Sequence, residues 1–328
     1  MRKVVAYGEI MMRLTPENFD SLEDCNKLDL CYGGTESNVL VALAHLGDKT
    51  EYLTKLPDNQ LGEAVTRHLL RHQVGVGNIV YGGSTLGIYF MEQGYGTRPS
   101  SVLYHRKQAV INTLTEDDFN YDAIFDGASW FHVTGISLAI SEASKNVSIR
   151  LCKEAKKRNI TVSFDFNYRA TLWTIDEARE VYKEIMEYVD VCFGNAFDLN
   201  NFMEINKGTN EESINYFLKE YNVKYLIHTS REIVDANTHA LSAHLYSVSK
   251  VIHTDTKRFE VLDRIGGGDA FVAGVIHILN NDIDNIEEAL SLGIDLGILK
   301  HLVKGDVLGL SNREINKWIK NQNKDVIR

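Results

Sequence analysis

Residues 129–134, Ser-Trp-Phe-His-Val-Thr, and 161–166, Thr-Val-Ser-Phe-Asp-Phe, are short apolar runs separated by an amphipathic stretch over 141–159. Runs of this length read as buried strands, and a helix between two of them returns the chain so that they pair in parallel. The same alternation continues in both directions. Further strands are expected at 3–8, 189–193 and 224–229, and helices at 35–46, 61–72, 176–188, 211–220, 268–279 and 285–303. This pattern predicts a doubly wound α/β domain, a mostly parallel sheet with helices on both faces. Two stretches break it. Residues 14–32 carry no helical pattern, and 85–106 reads as a hairpin around Gly94-Tyr95-Gly96. An extra small sheet could act as a lid over ligands bound at the strand C-termini, or be an exposed decoration.

The chain has 328 residues, 44% hydrophobic and 24% charged, enough for one large core or two ordinary ones. Nothing marks an interdomain linker, so a single domain over 1–328 is expected, with lid segments at about 10–32 and 85–110. Lys plus Arg is 35 against 45 Asp plus Glu, a net charge of −10 that argues against nucleic-acid or anionic-membrane partners. An anionic ligand must then be held by local structure. Cys25, Cys31, Cys152 and Cys192 have no zinc, redox or disulfide spacing and read as buried thiols in a reducing cytoplasm. No apolar run approaches the ~18 residues of a membrane span, and no export signal is evident.

The chemistry-bearing segment is Asp263-Arg264-Ile265-Gly266-Gly267-Gly268-Asp269-Ala270-Phe271, which runs into an apolar helix. Without Cβ atoms, Gly266, Gly267 and Gly268 let successive amides point at one spot, and the helix dipole adds positive character there, which suits a phosphoryl group. Asp269 at such a place is a candidate general base for a hydroxyl attacking that phosphate. Alternatively, Asp269 is simply a helix-start acid favoured by the dipole and the glycines form a tight turn. The G-x-G-x-x-G spacing and the Walker A sequence are both absent.

A second glycine-to-helix junction is Tyr32-Gly33-Gly34-Thr35-Glu36-Ser37-Asn38. Either Thr35 caps the helix with Asn38 as a capping partner and Gly47 closing it, or Gly33 and Gly34 admit a polyol that Asn38 hydrogen-bonds. Tyr104 and Arg106 project from one face of a strand whose hairpin partner carries Tyr89. Asp165, Asn167 and Arg169 share the same spacing where the strand at 161–166 runs out. Two arginines with tyrosines suit a sugar acid, because guanidinium binds carboxylate bidentately.

In this order the segments resemble the ribokinase-like (PfkB) carbohydrate kinases, and within them the 2-keto-3-deoxygluconate kinase subgroup. The resemblance covers nearly the whole chain. It is carried by residues 8–16, Gly33-Gly34 to Asn38, Tyr89-Phe90 through Tyr104-His105-Arg106, Asp165-Phe166-Asn167-Tyr168-Arg169 with Leu172-Trp173, the segment from Asp263 to Asp269, and Lys304-Gly305-Asp306. It implies a three-layer α/β/α fold with a small β-sheet lid. Gly34, Tyr89, Tyr104, Arg106, Arg169 and Asp306 would contact a keto-sugar acid, Asp269 would be the base, and Gly266–Gly268 would cradle the transferred phosphoryl group.

The resemblance further implies that Asn167, Arg169 and the stretch from Thr229 through Ser230 and Arg231 to Val234 border ATP. Asn195-Ala196-Phe197-Asp198 is similar to the family's Asn-x-x-Glu segment, which acts on Mg²⁺, with Asp198 in place of Glu. The broader family's Gly-x-x-Gly nucleotide turn is absent. The expected activity is therefore ATP-dependent phosphorylation of the terminal hydroxyl of 2-keto-3-deoxygluconate. Alternatives are a kinase of a neutral sugar such as fructose or ribose, and a catalytically silent sugar-acid-binding protein. A homo-oligomer through the lid sheet is also expected, from apolar positions such as Ile88 and Phe90.

Overall fold

The strand Lys3–Tyr7 divides the protein's interior in two. Val4 and Ala6 belong to one core, with Leu40, Phe271 and Leu299, whereas Val5 and Tyr7 belong to another, with Leu151, Phe164 and Tyr182. Alternate residues of a strand point to opposite faces, so a central strand buried on both must be apolar throughout. The computed structural model describes residues 2–321; residue 1 and 322–328 of the expected single domain lie outside the described residues.

The central sheet runs in the order Val251–His253, Thr238–Tyr246, Tyr225–Ile233, Val191–Phe193, Thr161–Asp165, Ala128–Thr134, Lys3–Tyr7, Lys49–Leu53. From Lys49–Leu53 to Tyr225–Ile233 all neighbours are parallel; Thr238–Tyr246 then pairs antiparallel with Tyr225–Ile233, and Lys257–Glu260 also pairs with it. Helices Thr35–Leu46, Gly267–Asn281 and Ile286–His301 supply the first core, and Glu142–Lys157, Ile175–Met186 and Asn210–Glu220 the second. The sheet is thus the mostly parallel, helix-covered sheet expected. The antiparallel margin and the edge strand Lys49–Leu53 lie beyond the sequence expectation. Lys49-Thr50-Glu51 is polar because an edge strand is only partly covered. Among the described residues, no helix is long and apolar enough to cross a membrane.

Residues 11–33 and 88–105 form a separate four-stranded sheet in the order Leu28–Gly33, Met11–Pro16, Ile88–Glu92, Ser101–His105. Its register aligns Cys31, Arg13, Tyr89 and Tyr104 in one cross-strand row, and Leu30, Leu14, Phe90 and Leu103 in the next. Adjacent rows face opposite sides. Arg13 and Tyr89 are buried, whereas Leu30 and Leu103 are exposed, so the polar row faces the protein and the apolar row faces outward. Ile88 and Phe90 are only half-buried; the exposed large hydrophobic residues of this sheet are instead Leu28, Leu30, Val102, Leu103 and Tyr104.

Candidate active site

Where the parallel strands end beneath the small sheet, a cavity of about 520 Å³ opens. It is lined by Gly266, Gly268 and Asp269 on one side, by Gly33, Gly34 and Asn38 on another, and by Tyr89, Tyr104 and Arg106 from the small sheet. Asp165, Asn167, Arg169, Arg231 and Asp306 also line it. A second cavity of about 510 Å³ shares Asp165, Asn167, Arg169, Arg231 and Gly268, and extends to Asn195, Asp198 and Thr229. Residues more than 200 positions apart in the chain thus meet at one boundary between two ligand-sized spaces.

That boundary is a helix start. Gly266 has φ +81 and caps helix Gly267–Asn281, whose first backbone bond runs from the Ala270 N–H to the Gly266 carbonyl at 2.9 Å. The amides of residues 267–269 therefore have no intrahelical acceptor and are available to an anion. A side chain at Gly266 would require a disfavoured φ and would strike the carbonyl of Asp306. Gly268 has open space around it, on the cavity side. Gly267 does not line the cavity: its bare Cα packs against the imidazole of His301.

Asp269 accepts a hydrogen bond from Asn38 Nδ2 at 2.7 Å, and Asn38 Oδ1 accepts from the Gly34 N–H at 3.3 Å. Asn38 thus holds a carboxylate and a backbone amide of its own helix start. Thr35 is not the cap; Gly34 occupies that place, and Gly47, with φ +104, closes the helix. Burial pushes Asp269 up from 3.8 to about 7, with Glu36 and Asp306 adding to the rise while Asn38 and Arg169 oppose it. Asp165 is pushed to about 7 by burial and then by the charge of Asp269. The two carboxylates repel one another at the cavity boundary. Asn38 favours the ionised form of Asp269, so Asn38→Ala is expected to move the acidic limb of the pH–rate profile to higher pH, with a larger loss at pH 6.5 than at pH 8.5. Rate measurements across that range test this; an unmoved limb contradicts it.

The cationic side chains differ in their commitments. Arg106 forms an ion pair with buried Glu9, and its guanidinium lies 5.8 Å from the centroid of the Tyr104 ring. Burial raises the Glu9 carboxyl, and Arg106 counteracts this. Arg169 is exposed to the cavity and donates to the Tyr168 carbonyl at 3.1 Å. Among the described residues, Arg169, Arg231 and Arg264 form no ion pair with a carboxylate. Three guanidiniums around a boundary with several carboxylates leave positive charge for anionic ligands.

Several expected site residues have partners of their own. Tyr89 donates to Asp306, whose other oxygen accepts from Arg13 at 2.8 Å, so both residues line the cavity while engaged in a buried network. Gly33 lacks a side chain where the Asp306 carboxylate packs; its bareness serves this contact rather than only the approach of a polyol. Ser230 lines neither cavity: in the ladder with Thr238–Tyr246 it alternates with Thr229 and Arg231, which do. Asn195 and Asp198 form a reciprocal capping box, Asn195 Oδ1 accepting from the Phe197 N–H at 2.8 Å and Asp198 Oδ2 from the Asn195 N–H at 2.9 Å. Burial pushes Asp198 up to about 6.

Glu9, Glu36 and Arg264 also line the cavity without having been singled out from the sequence. Glu36 accepts from the Thr134 N–H at 3.0 Å, Thr134 Oγ1 at 2.8 Å and Ser137 Oγ at 2.7 Å, tying the helix start to the end of strand Ala128–Thr134. Arg264 could have been noticed inside the glycine motif; Glu36 carries no local signal. Of the four cysteines, Cys152 and Cys192 are buried, whereas Cys25 and Cys31 are half-exposed.

The chain is 31% identical to 2-dehydro-3-deoxygalactonokinase of Haloferax volcanii, over 97% of this chain and 96% of that protein. It is 26% identical to probable fructokinase-6, chloroplastic, of Arabidopsis thaliana, over 94% of this chain and 80% of that protein. The crystal structure of 2-dehydro-3-deoxygluconokinase from Thermotoga maritima superposes with a TM-score of 0.91 at 34% identity, covering 96% of this chain and 97% of that one. The model of the pfkB family of carbohydrate kinases matches residues 1–312. With that match over the two cavities and the glycine-started helix between them, the chain belongs to the pfkB carbohydrate kinase family.

Proposed function

We propose that this kinase transfers the γ-phosphoryl group of ATP to the terminal hydroxyl of a 2-keto-3-deoxy sugar acid such as 2-keto-3-deoxygluconate. The carrying observation is Asp269, held by Asn38 beside the free amides of a helix start, at the boundary of the two cavities. The sugar acid would occupy the cavity beneath the small sheet and the nucleotide the second one. Asp269 takes the hydroxyl proton as the alcohol oxygen bonds to the γ-phosphorus, the bond to the β,γ-bridging oxygen breaks, and ADP carries away the electron pair. The amides of Gly268 and Asp269, which line the cavity, and the helix dipole neutralise the charge of the moving phosphoryl group. Arg169 borders both cavities, where it can meet the sugar carboxylate or a phosphate. The small sheet acts as a lid that excludes water from the activated phosphoryl group.

The donor set fits an Mg²⁺ held mainly by nucleotide and water. Asp165 and Asp198 are carboxylates whose ionisation burial disfavours, a deficit that a cation relieves. Mg²⁺ keeps several waters and is commonly held through substrate phosphates with one or two carboxylates, a role that Asp165 and Asp198 would fill. When bound, the ion would neutralise polyphosphate charge. The outward row Leu30, Leu14, Phe90 and Leu103 would pair with a second copy of the chain, and the free thiols and ATP requirement suit the cytoplasm.

One observation favours a neutral sugar: Glu9 neutralises Arg106, so only part of the guanidinium is left for a substrate carboxylate. The unpaired Arg169, Arg231 and Arg264 favour the acid. In coupled-enzyme kinetics with gluconate- and galactonate-derived keto acids, fructose and ribose, a keto acid is expected to lead by about tenfold or more in kcat/KM, the value of one charge-assisted contact. Faster turnover on fructose would reassign the substrate. Sugar-acid binding without nucleotide consumption would make the protein a silent binder.

A further inference from the structure

We propose that Arg13 is a positioning residue through which the small sheet sets the phosphoryl-facing start of helix Gly267–Asn281. This rests on the assignment of that helix start to the phosphoryl group. Arg13 is 2% exposed, yet it makes no contact suited to a surface arginine. Its Nη2 lies 2.8 Å from Asp263 Oδ2, its Nη1 2.8 Å from Asp306 Oδ1, and its Nε donates to Thr15 Oγ1 at 2.8 Å. All three arms of the guanidinium are thereby used, two of them on carboxylates from segments that flank Gly266.

Those carboxylates act on the loop itself. Asp263 accepts from the Ile265 N–H at 3.2 Å and from the Gly305 N–H at 3.0 Å, so it shapes the turn leading into Gly266 and joins it to residues 305–306. The Asp306 carbonyl occupies the space that a side chain at Gly266 would need. Lys300, fully buried, donates to the carbonyls of Asp263 at 3.3 Å and Val303 at 3.1 Å. Arg13 and Lys300 thus balance Asp263 and Asp306 in a buried cluster against Gly266 at the helix start, with Asp306 at the cavity wall. Removing one member leaves a buried charge without its partner, so the cluster holds its geometry as a unit.

The cluster also reaches the sugar side. Arg13 pairs in register with Tyr89, which pairs with Tyr104, and Tyr89 donates to the same Asp306 that Arg13 holds. The row that lines the acceptor cavity and the loop that presents the amides therefore share one set of contacts. Misplacement of reacting groups by about 1 Å can cost about 10²-fold in rate. Arg13 lines neither cavity and acts through Asp263 and Asp306.

The test combines Arg13→Met, Arg13→Lys and the double variant Arg13→Met with Asp263→Asn, each compared with the parent for melting temperature, amide deuterium exchange over residues 264–270, and kcat and KM. Arg13→Met is expected to speed exchange over 264–270 by about tenfold or more and to lower kcat by about 30–100-fold. Arg13→Lys, which restores one carboxylate contact, should recover part of the rate, leaving kcat about five- to tenfold below the parent, and removing the orphaned charge in the double variant should restore folding stability more than turnover. If Arg13→Met does not fold, a kcat loss of about five- to tenfold in Arg13→Lys together with faster exchange supports the assignment. A lowered melting temperature with exchange and kcat of the folded protein within twofold of the parent overturns it. Exchange needs no acceptor substrate. If the parent phosphorylates no sugar acid while Arg13→Met still loosens 264–270, the substrate assignment falls and the positioning role stands.

Discussion

Asp269→Asn is expected to lower kcat by about 10²–10⁴ while leaving the affinities for sugar acid and nucleotide within a few-fold, because the amide keeps the shape and loses only the capacity to take a proton. Folding loss is separable by its sign. Asp269 is raised from 3.8 to about 7 in the folded protein, so its ionised form opposes folding, and stability falls as pH rises from the unfolded value through about 7. The neutral amide removes that penalty. The variant should therefore melt a few degrees higher than the parent at pH 8 and gain less at pH 5, becoming more stable and less active together. The parent should also show an acidic limb in kcat/KM near pH 7, to which Asp269 and Asp165 both contribute, and the variant should lose the Asp269 contribution to it. Near-parental turnover in Asp269→Asn would remove the base.

Arg169→Ala is expected to weaken sugar-acid binding by about 1.5–3 kcal/mol, roughly 10- to 150-fold in KM or Kd, with a much smaller effect on any neutral sugar that the protein accepts. Arg169 is the cleaner of the two candidate arginines. Among the described residues its guanidinium hydrogen-bonds only to backbone carbonyls, whereas Arg106→Ala would also leave the buried Glu9 without its counter-ion and mix a folding defect into the result. Because Arg169 lowers the pKa of both Asp269 and Asp165, its removal should in addition shift the acidic limb to higher pH. Calorimetric titration with the keto acid, in the parent and the variant, checks the affinity. Unchanged binding would move the carboxylate to Arg231 or Arg264.

Much of the central sheet was legible because buried parallel strands must be apolar on both faces, and 129–134 and 161–166 advertise this. The antiparallel margin was not, since Thr238–Tyr246 mixes His, Ser and Ala and is defined by its partner Tyr225–Ile233 rather than by its own pattern. The cavity beneath the small sheet was largely assembled from motif and spacing: Gly34, Asn38, Tyr89, Tyr104, Arg106, Arg169 and Asp269 all line it. Ser230 fell outside because period two along a strand decides which neighbour lines a cavity, and the ladder register sets that phase.

Residue order by itself determined the glycine-started helix with its acid, the closing Gly47, and the alternation of strands and helices, because backbone sterics, unpaired helix-end amides and side-chain periodicity act over a few neighbouring residues. Only the tertiary structure decided that Asn38 holds Asp269, that Glu9 neutralises Arg106, and that Arg13 reaches Asp306 across 293 positions. Burial of a charge is tolerable only beside its counter-charge, and which chain segments meet there is set by how the two sheets pack.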